Sequence, residues 1–403
     1  MLKGYRVVEL ATHIAAPAAT GLMADWGADV VKVERPEGDP MRWLRAEAPG
    51  GCSPVFEANN RGKRDIVLDV LHPEGREIFL QLVRRSDVFI TSVRPHALKR
   101  AKLDWETLRL ENPALVYASV NGYGQTGPDA DLPAFDGAAF WTRSGMGYMT
   151  APEGSEPFPM RPGVGDHTCS LATVLAVVSA LLERTKTGKG RFVETSLFRA
   201  GVYVMGADVA NFIRLGKVSR TPRRSSPLNP LSNYYQTSDG KWFYLTPRDS
   251  KTDWKRICKV ADRTALGEDA RYDTDEKRKA NTAVITAELD QGFAGQTFPQ
   301  IAQRLNQADL VWAPYQSPAE LVQDPQALAS GCLIEMVDGK NGGTFLTPGM
   351  PAGFDGEERL PKGPAPQFGE HTERILTELG LSTTRQEALL HAGVAVKQAS
   401  EAS

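Results

Sequence analysis

The chain of 403 residues has little cysteine, little histidine and no surplus of charge of either sign. Its four cysteines, Cys52, Cys169, Cys258 and Cys332, are scattered with no C-x-x-C pair. That excludes a disulfide framework and a cysteine-based zinc site, and fits reduced thiols in a cytoplasmic setting. The six histidines show no H-x-H or H-x-x-x-H spacing, so no protein-bound metal is expected. With 47 Lys and Arg against 49 Asp and Glu, the net charge is −2, which removes the electrostatic reason to expect nucleic acid or an anionic membrane as a partner. The longest apolar run, around 169–182, is shorter than the ~20 residues a membrane span needs. The N-terminus enters a strand pattern directly and has no signal-peptide h-region. A G-x-S-x-G elbow is also missing and no cysteine has an evident base partner, so a serine or cysteine hydrolase has no support.

The first half of the chain alternates strand and helix patterns. Strands are expected at Arg6–Leu10, Asp29–Glu34, Asp65–Val70, Asp87–Thr91 and Ala114–Val120. Helices are expected from Ala18 to Trp26, opened by Pro17 and stopped by Gly27, and at Pro73–Arg84 and Asp104–Leu110. This alternation predicts an α/β fold with a doubly wound, Rossmann-like parallel sheet, whose ligands bind beyond the carboxyl ends of the strands. The basic, proline-rich Ser219–Pro230 stretch cannot be regular structure. Beyond it, two β-rich runs meet at Asp239-Gly240, a hairpin signal, and helices continue to about 325. Strands return at 332–337 and 343–347, and helices at 371–379 and 383–398. The expected organisation is a large domain over 1–200, a linker over 201–225, a small inserted α+β domain over 226–325, and a return to the large domain over 326–403.

Gly122-Tyr-Gly124-Gln-Thr-Gly127 formally matches a dinucleotide fingerprint, but Pro128-Asp-Ala-Asp-Leu-Pro133 follows where a helix must start, so it reads as a loop. The first βα turn, Glu9-Leu-Ala-Thr-His13-Ile14-Ala15-Ala-Pro17, has small residues that let a ligand approach the backbone. Its companion strand ends in Glu34-Arg35, and an arginine there suits a phosphate better than a free ribose. Arg94, Lys99, Arg100 and Lys102 add positive charge after another strand. A phosphorylated, nucleotide-like ligand fits this edge and a nicotinamide cofactor does not.

Asp166, in Arg161-Pro-Gly-Val-Gly-Asp166-His167, precedes an apolar helical stretch. Gly163 and Gly165 allow a tight turn and leave the carboxylate uncrowded. At a helix start it meets the positive end of the dipole, so an ionised carboxylate is expected, able to attack an activated acyl group. A simple helix cap is the commoner role for an aspartate in this position. Asp136, in Ala134-Phe135-Asp136-Gly137, is a second carboxylate before an apolar segment and is open to the same two readings.

Taken together these motifs resemble the class III CoA-transferases, a family that includes alpha-methylacyl-CoA racemase. The shared patterns are Val8-Glu-Leu…Pro17, Gly27–Arg35, Asn59-Asn-Arg-Gly-Lys-Arg, Leu68-Asp…Pro73-Glu-Gly75, Gly122-Tyr-Gly, Gly165-Asp166, Arg184–Gly190 and Gly369–Gly380. The branch acting on aryl- and 2-hydroxyacyl groups is the nearest in pattern. The resemblance implies that Asp166 is the nucleophile, forming a mixed anhydride and then an aspartyl-CoA thioester. No metal or permanently bound cofactor is implied, with acyl-CoA and small carboxylic acids as substrates. It also implies that His13, Ile14, Ala15, Arg35, Leu68, Leu71, Ser92, Val93 and Arg100 border CoA, and that Phe135 and Asp136 lie at the acyl site. An interlocked homodimer is implied too. Formyl-CoA transferases have lysine at the position of Leu71, asparagine at that of Ser92, and a glycine-rich lid that is missing here. The racemase branch has a histidine where this chain has Phe135, which cannot move a proton and argues for transfer. The competing readings are an acyl-CoA racemase or epimerase and a non-catalytic CoA-binding protein. The aromatic residues Phe135, Phe140, Trp141 and Tyr148 suggest a roomy apolar acyl pocket.

Overall fold

The computed structural model describes residues 1–44, 53–338, 342–356 and 361–398, which leaves Cys52 outside the described residues. Two compact units emerge, one of Met1–Tyr148, Phe158–Val218 and Gln326–Ser403, the other of Met149–Pro157 and Ser219–Pro325.

The first unit is built on a seven-stranded sheet. Its strands β1 (Arg6–Leu10), β2 (Asp29–Glu34), β3 (Arg64–Leu68), β4 (Val88–Thr91), β5 (Val116–Asn121) and β6 (Arg191–Ser196) pair in parallel in the order β3-β2-β1-β4-β5-β6. Short Ala395–Val396 adds antiparallel to β3 at the edge. This is the doubly wound order, with its switch point between β1 and β4. Alternation along each strand feeds two cores. Val7, Val30, Val88, Val116 and Ala118 pack toward Ala16, Ala19, Met23, Val174, Val177 and Leu181. Val8, Val31, Ile66, Phe89 and Tyr117 pack on the other face toward Ile78, Phe79, Val83, Leu108, Ile375 and Leu389. Both faces are therefore covered by helices, as a parallel sheet requires.

Several elements depart from the sequence reading. The helix read over 383–398 ends at His391, with Ala395–Val396 a strand, and the helices Leu197–Val204 and Gly206–Leu215 occupy much of the stretch read as a linker. The first helix spans Ala15–Asp25, so Pro17 is its third residue rather than its first, still within the turn where a missing N–H costs nothing. β6 went unread because Arg191-Phe-Val-Glu-Thr-Ser mixes charge with few apolar residues; it is an edge strand whose first four residues are exposed or half-buried. The apolar run around 169–182 extends into a 24-residue helix, Val164–Thr187, which by length and composition alone could cross a membrane. Cys169, Thr173, Val174, Val177, Ala180 and Leu181 on one side of it are buried in the sheet's core.

In the second unit the Asp239-Gly240 turn joins Asn233–Gln236 to Trp242–Thr246 as an antiparallel hairpin, and Val311–Pro314 adds a third strand. Tyr235, Phe243, Trp254, Ile257, Phe293 and Leu305 form its core.

Candidate active site

Gly163 is the N-cap of the Val164–Thr187 helix and sits at φ 93°, a conformation that favours glycine. Gly165 has a different reason to be glycine: a Cβ there would lie 2.6 Å from the Phe140 ring, which is buried beneath it. Gly165→Ala is expected to cost about 1–3 kcal/mol, the usual penalty of overpacking, read as a lower denaturation midpoint in urea. Loss of stability within a few tenths of a kcal/mol of zero would contradict this packing.

Asp166 is the third residue of the helix, half-buried, and its carboxylate accepts no hydrogen bond among the described residues. The third helical residue commonly reaches back to the N-cap amide, completing a capping box. Here that amide is taken: Gly163 N–H donates to Asp136 Oδ2 at 2.7 Å. Asp136, itself buried, also accepts Gly137 N–H on Oδ1 at 2.8 Å. Asp136 thus does the capping and leaves Asp166 free. The expectation that the helix dipole keeps Asp166 ionised is corrected: burial, followed by the charge of Asp136, pushes it from 3.8 up to about 7. Desolvation outweighs the dipole because no N–H reaches the carboxylate.

Three further side chains close around this turn. A methyl group on Gly163 would lie 3.6 Å from His167 Nδ1 and 3.9 Å from Ile14 Cδ1. His167 Nε2 is 3.0 Å from Asn59 Oδ1, and since Asn59 Nδ2 donates to Val55 O at 2.8 Å, Nε2 is the donor. Burial lowers the His167 pKa, which favours the neutral ring. The His13 ring meets Phe135 edge-on with centroids 5.3 Å apart. Phe135 is 66% exposed. The structure therefore brings His13, Ile14, Phe135, Asp136, Gly163 and Asp166 together, and adds His167 and Asn59, which sequence reasoning passed over.

The other candidates spread along the carboxyl edge of the sheet. Ser92, after β4, accepts Thr12 N–H at 3.2 Å, tying the two sides of the switch point together. Ala15 opens the first helix. Arg35 follows β2, exposed and 3.5 Å from Glu37; Leu71 follows β3, exposed; Arg100 is exposed on the Pro95–Ala101 helix. Val93 is half-buried against the core. Leu68 is corrected as a side-chain contact: it is wholly buried in the sheet's core and offers a ligand no surface. Phe140 likewise belongs to the core under Gly165 and not to an open pocket, whereas Tyr148 is exposed. The Gly122–Gly127 segment is a loop, with Gly124 and Gly127 at φ 107° and 102°, and no helix starts in it. Burial raises the thiols of Cys169 and Cys258 to about 12, so neither is a nucleophile near neutrality.

Beneath the first βα turn lies a buried ionic array that the sequence did not reveal. Lys32 Nζ donates to Glu9 Oε1 at 2.8 Å, Asp39 Oδ2 at 3.0 Å and Ala11 O at 3.1 Å. Lys63 Nζ donates to Glu9 Oε2 at 2.8 Å, Pro17 O at 2.8 Å and Asn60 Oδ1 at 2.7 Å. Glu9, Lys32, Asp39 and Lys63 are all buried. Burial pushes Lys63 down to about 8; it would raise Glu9, but Lys32 and Lys63 override it and hold Glu9 near 2. Above this array His13 adopts φ 70°, a left-handed backbone that costs a non-glycine residue roughly 1–2 kcal/mol.

The fold is a doubly wound α/β sheet, and these residues gather at the carboxyl ends of its strands near the switch point, the place where ligands bind on such sheets. Residues 2–372 match the sequence model of CoA-transferase family III. The chain is 32% identical over 400 residues to the cinnamoyl-CoA:phenyllactate CoA-transferase of Clostridium sporogenes, covering 96% of each chain. It is 31% identical over 385 residues to the (R)-2-hydroxy-4-methylpentanoate CoA-transferase of Clostridioides difficile, covering 94% of this chain and 96% of that one. The crystal structure of a CaiB/BaiF family protein from Brucella suis superposes with a TM-score of 0.83 at 30% identity, covering 94% of this chain and 99% of that one. The chain is an enzyme of the CoA-transferase class. It belongs to CoA-transferase family III.

Proposed function

We propose that this chain moves CoA from an acyl-CoA donor to a carboxylic acid acceptor with Asp166 as nucleophile. The observation that carries this reading is the Asp166 carboxylate itself: half-buried, without a hydrogen bond among the described residues, and pushed up to about 7, beside a second carboxylate that holds its turn. A group poised near neutral pH is partly ionised, and because it is poorly solvated its ionised form is a stronger nucleophile. The ionised oxygen attacks the thioester carbonyl and expels CoA thiolate, leaving a mixed anhydride. The thiolate then attacks the Asp166 carbonyl, releasing the donor acid and forming an aspartyl-CoA thioester. The acceptor carboxylate attacks that thioester, and the thiolate, expelled again, takes the acceptor's acyl group and frees Asp166. Thioester energy is conserved, so the cycle balances without ATP. His13, Ile14, Ala15, Arg35, Leu71, Ser92, Val93 and Arg100 are the CoA-side residues of this reading, and exposed Phe135 and Tyr148 favour a roomy acyl site. Acids of the 2-hydroxy and aryl kind, which the names of the two relatives carry, are the substrate class it points to.

The test is intact-protein mass spectrometry after adding an acyl-CoA, with hydroxylamine or borohydride trapping and peptide mapping. An adduct on Asp166 is expected. CoA binding with no adduct on any carboxylate would sink the mechanism, and exchange of the substrate α-proton with deuterated solvent would favour a racemase.

The same reading includes a homodimer, with residues 226–325 as the family's small domain and a cytoplasmic location. Leu171, Leu175 and Leu182 are exposed on one face of the Val164–Thr187 helix, and Tyr203, Phe212, Ile213 and Leu215 are exposed on the helices after β6. Large apolar side chains exposed on three successive helices, rather than singly, favour a protein interface there. Native mass spectrometry is expected to give twice the 44.0 kDa chain mass. Leu175→Arg, at a side chain 70% exposed, is expected to shift it toward monomer; a chain-mass species in the parent protein would contradict the dimer.

A further inference from the structure

The β1-to-helix turn is gripped from beneath at three backbone groups by buried charged side chains. Lys32 holds Ala11 O, Asp39 Oδ1 accepts His13 N–H at 3.2 Å, and Lys63 holds Pro17 O. Asp39 Oδ1 also accepts Met41 N–H at 3.0 Å, and Asp39 N–H donates to Glu34 Oε2 at 2.7 Å, so Asp39 has little freedom of its own. Glu9 joins the two lysines and takes the Thr20 hydroxyl, and Asn60 Nδ2 donates to Phe56 O. Every charged group in the array is paired. Apolar residues of similar volume usually hold a core at least as well as buried ions, so stability alone does not account for such an array. What it touches does. The grip falls on the one described turn where a non-glycine residue at the sheet's carboxyl edge has a left-handed backbone, and strained residues of this kind cluster at functional sites when their surroundings over-determine them. From that residue the His13 ring reaches Phe135, the next residue Ile14 reaches the Gly163 turn, and Thr12 Oγ1 lies 2.9 Å from His13 Nδ1.

We propose that Asp39, backed by Lys32, Glu9 and Lys63, is a positioning residue for the transfer reaction: its bond to the His13 amide holds the strained turn that sets His13 and Ile14 against the Asp166 turn. This rests on the reading of Asp166 as nucleophile. The array makes the wall of the site formed by this turn rigid before substrate arrives, so binding does not have to order it. Asp39 touches no substrate itself.

The test is a double-mutant cycle of Asp39→Asn and His13→Gly in the full chain, with Leu108→Ala in the opposite core as a stability control. Initial rates are measured against acyl-CoA and acid, alongside melting temperature and the rate of adduct formation on Asp166. Asp39→Asn is expected to lower kcat/KM about 100-fold, the scale of a misplacement near 1 Å. Glycine accepts the left-handed backbone without help. Asp39→Asn introduced into His13→Gly is therefore expected to lower kcat/KM by less than about 10-fold. Leu108→Ala is expected to lower the melting temperature with little change in kcat/KM. An equal loss from Asp39→Asn in both His13 backgrounds, or a loss no greater than that of Leu108→Ala, would overturn the positioning role while leaving the Asp166 mechanism standing. If Asp39→Asn does not fold, Thr20→Val, which removes the hydroxyl from Glu9, replaces it in the same cycle, with the same comparison deciding. Turnover retained in Asp166→Ala would instead remove the reading on which the proposal rests.

Discussion

Asp166→Asn is expected to abolish adduct formation and lower turnover by 10⁴-fold or more, while making the protein more stable at pH 8. The first effect follows from covalent chemistry: an amide has no ionised oxygen to attack a thioester, and removing a nucleophile leaves only binding and environment to act. The second follows from the raised carboxyl. In the unfolded chain the group titrates near 3.8 and in the fold near 7. The folded state therefore holds the proton between those values where the unfolded state has lost it. The stability this linkage supplies is fully present below pH 3.8 and is lost as pH rises through 7. At pH 8 the fold carries an ionised carboxylate that its surroundings disfavour, on the order of 2–4 kcal/mol at about 1.4 kcal/mol per unit. Asparagine, always neutral, avoids this. Urea melts should show Asp166→Asn level with the parent near pH 4 and ahead of it at pH 8. An equal midpoint at pH 8 would mean that Asp166 is an ordinary solvated carboxylate, and would remove the physical basis for its reactivity.

Activated acyl sites tolerate this instability because the unfavourable group is the useful one. The surrounding turn is fixed by hydrogen bonds, Asp136 to Gly163 and Asn59 to His167, while the Asp166 carboxylate has no hydrogen-bond partner among the described residues. A stable helix start and a reactive carboxylate are competing uses of the same N-cap amide.

How far the sequence showed this depends on how local each signal is. The parallel sheet was legible because strands such as Val7-Val8 and Val30-Val31 are apolar at both parities, the mark of a sheet covered on both faces. The turn before Asp166 was legible from its glycines, although their two reasons, a positive φ and a ring beneath, were not. The buried array was hidden. Lys32 in Asp29-Val-Val-Lys-Val-Glu34 reads as the solvent-facing residue of a strand, yet it is wholly buried. Only the pairing of β1 with β2 and β2 with β3 brings Glu9, Lys32 and Lys63 together across 54 residues of sequence. The ionisation of Asp166 was misjudged for the same reason. The dipole is written into the helix, whereas the residue that takes the N-cap amide and adds a like charge stands 27 residues before the N-cap.

Asp136 should therefore separate cleanly into two roles under substitution. Asp136→Ala removes both the acceptor for Gly163 N–H and the charge beside Asp166. A buried amide is left unsatisfied, which costs about 1–3 kcal/mol. The Asp166 turn loses its anchor, and kcat/KM is expected to fall 10²-fold or more. Asp136→Asn removes the charge and one acceptor, but keeps an oxygen that can accept one of the two N–H bonds. Since that charge is the second cause of the raised Asp166 carboxyl, after burial, the pH profile of kcat/KM is expected to shift to lower pH without reaching the ordinary carboxylate range. For the parent enzyme the rising limb should lie near pH 7, because ionised Asp166 is the reacting form and kcat/KM reports the free enzyme. Asp136→Asn should then be less impaired at pH 5.5 than at pH 8, since a lower pKa gives more of the ionised form but a weaker nucleophile. A profile in Asp136→Asn that keeps the parent's midpoint would show that the two carboxylates do not interact, and would leave burial as the whole cause of the raised Asp166 carboxyl.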